Sequence, residues 1–131
     1  NLIQDHLFVG IFPALQEAGI AALLDPKSEE AVAQLNATYD SRRDAFVQAA
    51  AKIGWQAFPS RGSFYAWMPV PEGYTSESFA DLLLEKAHVA VAPGKGFGSA
   101  GDAYVRIGLL VEPERLVEAV DRIANLHLFN N

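Results

Sequence analysis

The sequence contains no cysteine, and its one methionine is Met68. Without thiols it has no disulfide framework, no thiolate metal site and no sulfur nucleophile. Basic residues are also sparse. Ten Lys and Arg stand against 16 Asp and Glu, a net charge of −6. With those ten scattered, phosphate-backbone binding is excluded as the main role, and no nucleic-acid partner is expected. No apolar run approaches the ~18–20 residues of a membrane span. No basic segment leads into an apolar one in the manner of a secretory signal. The expectation is a soluble, cytoplasmic chain with no membrane partner. What is abundant is apolar material: half of 131 residues, enough for a single core without staples. Asn1 at the start, with methionine only at position 68, predicts a portion of something longer.

The first 25 residues are almost free of charge, with Asp5 and Glu17 the only ionised side chains before Asp25. Two short helices fit this stretch, one ending near Phe8 and one over Pro13–Leu24, with Pro13 in the first turn. A helix apolar nearly all round expects cover on several sides, which points to a partner domain or subunit. Ser28 is a plausible N-cap for a long helix, with Glu29 and Glu30 in its first turn. Val32, Leu35, Tyr39, Phe46, Ala50 and Ile53 then recur at helical spacing until Gly54. Such a helix would run to roughly 39 Å, against a radius of gyration of ~14 Å for a domain of this length. Arg42 interrupts its apolar stripe. A helix leaving one core and entering another would look like this.

Strands and helices then alternate. Trp55–Phe58 and Ser63–Met68 read as strands, and Thr75-Ser76 caps a helix to Ala87. Val89–Ala92 reads as a short buried strand, Pro93–Gly101 as a glycine-rich loop, and Ala103–Leu110 as a strand. Pro113 opens a last helix with the stripe Leu116, Val117, Val120, Ile123 and His127. The fold class predicted is an α/β (α+β) sandwich: a small, mostly antiparallel sheet with helices on one face.

Gly96-Phe97-Gly98-Ser99-Ala100-Gly101 satisfies G-x-G-x-x-G literally. The segment after it, Tyr104-Val105-Arg106-Ile107, is β-like, so the helix that would carry a pyrophosphate is missing. The loop reads instead as a tight connection needing positive φ at several glycines, with room for a ligand or another chain to approach. His6, His88 and His127 share no ligand spacing, so no metal site is expected. Glu29-Glu30 and Asp81-Glu85 read as helix-surface charges. Ser63 and Ser99 lack a nucleophile elbow, and no catalytic residue emerges within the chain.

Arg106 stands apart. Alternation sends Val105, Ile107 and Leu109 to one face and Tyr104, Arg106 and Gly108 to the other. A mid-strand arginine beside a glycine is suited to gripping a carboxylate or phosphate with paired hydrogen bonds. An ordinary arginine on a solvated face, or in an internal salt bridge, fits the same pattern.

Four motifs in register resemble one family. Gly62-Ser63-Phe64-Tyr65-Ala66-Trp67 with Pro69-Val70-Pro71 is similar to a strand of the class I/II, fold type I aminotransferases. Val91-Ala92-Pro93-Gly94-Lys95-Gly96-Phe97-Gly98 is similar to their V-x-P-G-x-x-F-G loop. Tyr104-Val105-Arg106-Ile107 is similar to their Y-V-R-[IL] strand, and Tyr39-Asp40-Ser41-Arg42-Arg43-Asp44 to a segment of their interdomain helix. The resemblance implies a pyridoxal-phosphate enzyme that moves an amino group from an amino acid to a 2-oxo acid. It makes residues 1–27 the tail of a large cofactor domain and 28–131 the C-terminal small domain, entered by the interdomain helix 28–53. Arg106 would grip the substrate carboxylate. Phe64 and Tyr65 would wall the side-chain pocket, although plain sheet packing suits either one alone. The cofactor lysine, its phosphate arginine and the aspartate for the pyridinium nitrogen have no counterpart here. The resemblance therefore implies a missing N-terminal large domain, a homodimeric parent, and an isolated chain that is inactive and without bound pyridoxal phosphate. The Pro71–Ser76 insert looks like members acting on diaminopimelate-type or broad amino-acid substrates. A stand-alone binding module derived from such a domain is the alternative.

Overall fold

The computed structural model describes residues 10–58, 60 and 62–129. The helix expected near Phe8 lies outside them. The chain divides into two compact units between Ala37 and Thr38.

In the first unit, α1 (Pro13–Leu24) begins with proline in its first turn and buries no residue. The Lys27 N–H is taken by Asp25 Oδ1 at 2.8 Å. Ser28 is not a cap: it is the first residue of α2 (Ser28–Lys52), and its hydroxyl donates to the Ala22 carbonyl at 2.6 Å. Ile11, Phe12, Leu15, Ile20, Leu23, Leu24, Val32 and Leu35 are all at least half exposed. The first half of α2 is likewise exposed, and burial starts only at Phe46, Ala49 and Ala50.

The second unit holds a three-stranded antiparallel sheet in the order β1-β3-β2, formed by β1 (Tyr65–Pro69), β2 (Ala92–Pro93) and β3 (Tyr104–Gly108). Trp67 and Ala92 both pair with Arg106 from opposite sides. Ala66, Met68, Val105 and Ile107 point inward and join one core with Phe46 and Ala50 of α2. α3 (Ser76–Leu82) adds Phe79, and α4 (Pro113–Ala124) adds Leu116, Val120 and Ile123. Helices on one face of a small antiparallel sheet agree with the expected class. Thr75 closes the N-terminus of α3 in a capping box with Ser78, which satisfies two otherwise orphaned donors. Glu29, Glu30, Asp81 and Glu85 are exposed, as expected.

Four further local expectations fail for identifiable reasons. Trp55–Phe58 forms no strand. The Trp55 N–H closes the end of α2 on the Ala50 carbonyl at 3.0 Å, and its indole N–H donates to the Pro69 carbonyl at 2.8 Å. Trp55 is thereby anchored as the core's largest buried side chain. The strand predicted at Val89–Ala92 shrinks to β2, because α3 runs into a π-helical turn (Leu83–Ala87) closed by His88 at φ 56°. The Val89 N–H is spent on the Leu83 carbonyl at 3.1 Å. His127 is off the α4 stripe, since the helix ends at Ala124 and His127 is exposed at φ 53°.

The glycine loop is the fourth. Of its glycines only Gly98 has positive φ, 124°. Gly94 and Gly101 serve close approach, whereas Gly96 has open space around it. A Cβ on Gly94 would lie 2.2 Å from the Gly101 carbonyl oxygen and 2.4 Å from that of Tyr104. The backbone that approaches Gly94 and Gly101 is that of the loop itself and of Tyr104 at the start of β3; the loop folds as two 3-10 turns, Gly94–Phe97 and Ser99–Ala103.

Candidate functional site

The outer face of the sheet carries Tyr65, Trp67, Tyr104, Arg106 and Gly108, all half-buried. The Arg106 Cζ lies 4.0 Å from the centroid of the Tyr65 ring and 4.0 Å from that of Phe97. A guanidinium over an aromatic face is attracted by the ring quadrupole, more so than an ammonium because it also stacks. Among the described residues the Arg106 side chain has no ion pair and no hydrogen bond to protein. That removes the internal salt bridge as an account of it.

Phe64 packs on Tyr65 at 4.5 Å between centroids and on Tyr39 at 5.8 Å. All three sequence-derived candidates, Phe64, Tyr65 and Arg106, therefore meet. Gly108 does not leave open space on this face: a Cβ there would come within 3.2 Å of the Leu110 side chain. On the other side Trp67 contacts Phe97 and Tyr104 edge-on, at 5.6 and 6.2 Å. Phe58, Trp67 and Tyr104 line an open apolar cleft of about 280 Å³. Trp67 and Phe97 were not singled out from the sequence. The two-residue alternation that placed Tyr65 also places Trp67, whereas Phe97 arrives only through the folding of the loop.

That loop is fastened to α3. Ser76, fully buried, donates its hydroxyl to Asp102 Oδ1 at 2.8 Å, and its N–H meets the same oxygen at 3.3 Å. The Lys95 N–H reaches Ser76 Oγ at 3.3 Å. The hydrogen bond from the Ser76 hydroxyl is the main reason the Asp102 carboxyl titrates below its usual range. Lys95 Nζ pairs with Glu77 at 2.7 Å, which raises the lysine above its ordinary value. Arg42 is held differently, by Glu112 at the head of α4 at 2.6 Å and over the Tyr39 ring at 5.6 Å.

The chain's four lysines, Lys27, Lys52, Lys86 and Lys95, are all exposed. A lysine that carries pyridoxal phosphate needs a sheltered site with an acidic partner for the ring nitrogen. These residues do not fit that cofactor. Among the described residues no three His, Asp or Glu side chains gather as a metal site, and no helix is long and apolar enough to cross a membrane.

The sequence matches the pattern of aminotransferase class I and II over residues 2–123. It is 58% identical over 129 residues to the L-glutamine--4-(methylsulfanyl)-2-oxobutanoate aminotransferase of Bacillus subtilis, covering 98% of this chain and 32% of that protein. It is 44% identical over 121 residues to the LL-diaminopimelate aminotransferase of Moorella thermoacetica, covering 92% and 30%. The substrate-bound BacF structure from Bacillus subtilis superposes with a TM-score of 0.85 at 43% identity, covering 96% of this chain and 32% of that one. The chain thus spans about a third of the length of these relatives. The pattern match over nearly the whole chain, with the aromatic strand, the glycine loop and the arginine strand converging on one face, establishes that it belongs to the class I and II aminotransferases.

Proposed function

We propose that this chain is the C-terminal portion of a pyridoxal-phosphate-dependent aminotransferase, in which Arg106 binds the α-carboxylate of the amino-acid donor and of the 2-oxo acid acceptor. The observation that carries this reading is the Arg106 guanidinium, held on the open sheet face between two rings with no carboxylate of its own among the described residues. The two substrates of a transaminase bind in turn and share a carboxylate beside the reacting carbon. One planar fork of parallel N–H donors serves both and orients each identically.

Tyr65 and Phe64, stacked together, wall the substrate side chain in this reading. The relatives named for glutamine and LL-diaminopimelate support an amino acid and 2-oxo acid pair as the substrate class. When bound, pyridoxal phosphate supplies the electron sink. Its lysine comes from an N-terminal large domain in a homodimeric parent, and the contribution of this chain is to bind and orient. The exposed apolar side chains between Ile11 and Leu35 support a large covering surface of that kind.

Kinetics of the full-length protein carrying this sequence test the arginine. Arg106→Ala raises KM for the amino acid about tenfold or more while cofactor absorbance is retained, and an unchanged KM refutes the role. The 131-residue chain alone, given pyridoxal phosphate and an amino acid, is expected to show no turnover. Turnover would overturn the division of labour.

A further inference from the structure

We propose that Phe97 is a positioning residue for Arg106: it fixes the plane of the guanidinium from the glycine loop, so that carboxylate binding depends on that loop being seated. This inference rests on the carboxylate role proposed above for Arg106.

The two rings beside Arg106 are supplied in different ways. Tyr65 comes from the neighbouring strand, in a register that pairs Tyr65 with Gly108 and Trp67 with Arg106. Phe97 comes from the last residue of a 3-10 turn. Each centroid is 4.0 Å from Cζ, yet the two rings make no contact with each other. They therefore flank the guanidinium from different sides. With a ring at 4.0 Å on each of two sides of Cζ, the donors left for a ligand are the N–H groups directed away from the rings, which a carboxylate accepts in pairs.

Phe97 has little other reason to be where it is. Its side chain is 52% exposed and is not part of the core. Its one ring neighbour is Trp67, edge-on at 5.6 Å, and Trp67 is the residue directly across from Arg106. The loop beneath it is tightly determined. Gly94 and Gly101 touch backbone to backbone, with no room for a Cβ on either. Ser76 ties Asp102 and the Lys95 N–H to the start of α3. Gly98 at φ 124° turns the chain away immediately after Phe97. An exposed ring delivered by a tightly packed loop onto an arginine whose only other side-chain partner among the described residues is the Tyr65 ring is an arrangement that orients the arginine.

The test uses the full-length protein carrying this sequence, with L-glutamine as the probe amino acid. Phe97→Ala and Phe97→Leu are expected to raise KM for glutamine about three- to tenfold with kcat within about twofold, and Phe97→Tyr restores the wild-type KM. A residue that merely fills space would be rescued by leucine as well as by tyrosine. In the same full-length protein, the Arg106 Nε–H proton resonance is expected to move downfield in Phe97→Ala and to stay in place in Phe97→Tyr. Thermal melts establish that the variants fold. If Arg106→Lys raises KM while Phe97→Ala does not, the positioning role is overturned and the carboxylate role stands. If Arg106→Lys also leaves KM unchanged, both are overturned.

Discussion

The two faces of the sheet are made from alternate residues of the same strands, and they differ in kind. Inward, Ala66, Met68, Val105 and Ile107 are each no more than 9% exposed and close the core against α2, α3 and α4. Outward, Tyr65, Trp67, Tyr104 and Arg106 are half-buried and touch mainly one another and Phe97. A pleat sends neighbouring side chains to opposite faces, so one strand holds the fold with every second residue and presents chemistry with the rest. Stability and binding should therefore separate at adjacent positions.

The largest expected effect is on the inner face. Met68→Ala empties a site with no exposure and should cost about 2–5 kcal/mol in urea unfolding. Trp67→Ala, one residue away, should cost only about 1 kcal/mol from lost ring contacts, and equal losses would break the distinction. The loop that joins the faces is tested by Gly94→Ala, whose Cβ would meet backbone carbonyl oxygens at 2.2 and 2.4 Å. Overpacking of this kind costs about 1–3 kcal/mol, seen as a lower midpoint in the same titration. His88→Gly relieves a left-handed backbone at φ 56° and should stabilise by about 1 kcal/mol, read as a higher Tm with the outer face undisturbed.

The smallest effect is a pH dependence. The Asp102 carboxyl is depressed by the Ser76 hydroxyl, so its contribution is present above the unfolded value of ~3.9 and fades as pH falls through the folded one. Melts of wild type and Asp102→Asn should diverge above that range and converge in acid.

Much of this division was legible in the sequence. The alternation of Tyr104-Val105-Arg106-Ile107 gives the two faces directly, and the capping residues and prolines of α1, α3 and α4 mark their starts. What was not legible depends on where backbone donors go. Trp55 reads as a strand residue by type, but its N–H is consumed by the end of α2. Val89 reads as buried strand, but its N–H closes a π-helical turn. Gly96, Gly98 and Gly101 satisfy a literal nucleotide motif, whereas Gly98 turns the chain at positive φ and Gly101 meets Gly94 backbone to backbone, a contact across seven residues that no local pattern encodes. Phe97 was hidden for the same reason. It reaches Arg106 only once that loop has closed.

The claim at the centre is that the outer face binds a substrate carboxylate through Arg106. A crystal structure of the full-length protein with an amino acid or 2-oxo acid bound tests it most directly. The account predicts two Arg106 N–H groups on the two carboxylate oxygens at about 2.7–2.9 Å, with the Tyr65 and Phe97 rings still beside the guanidinium. A carboxylate held elsewhere, with Arg106 touching only the two rings, would contradict it.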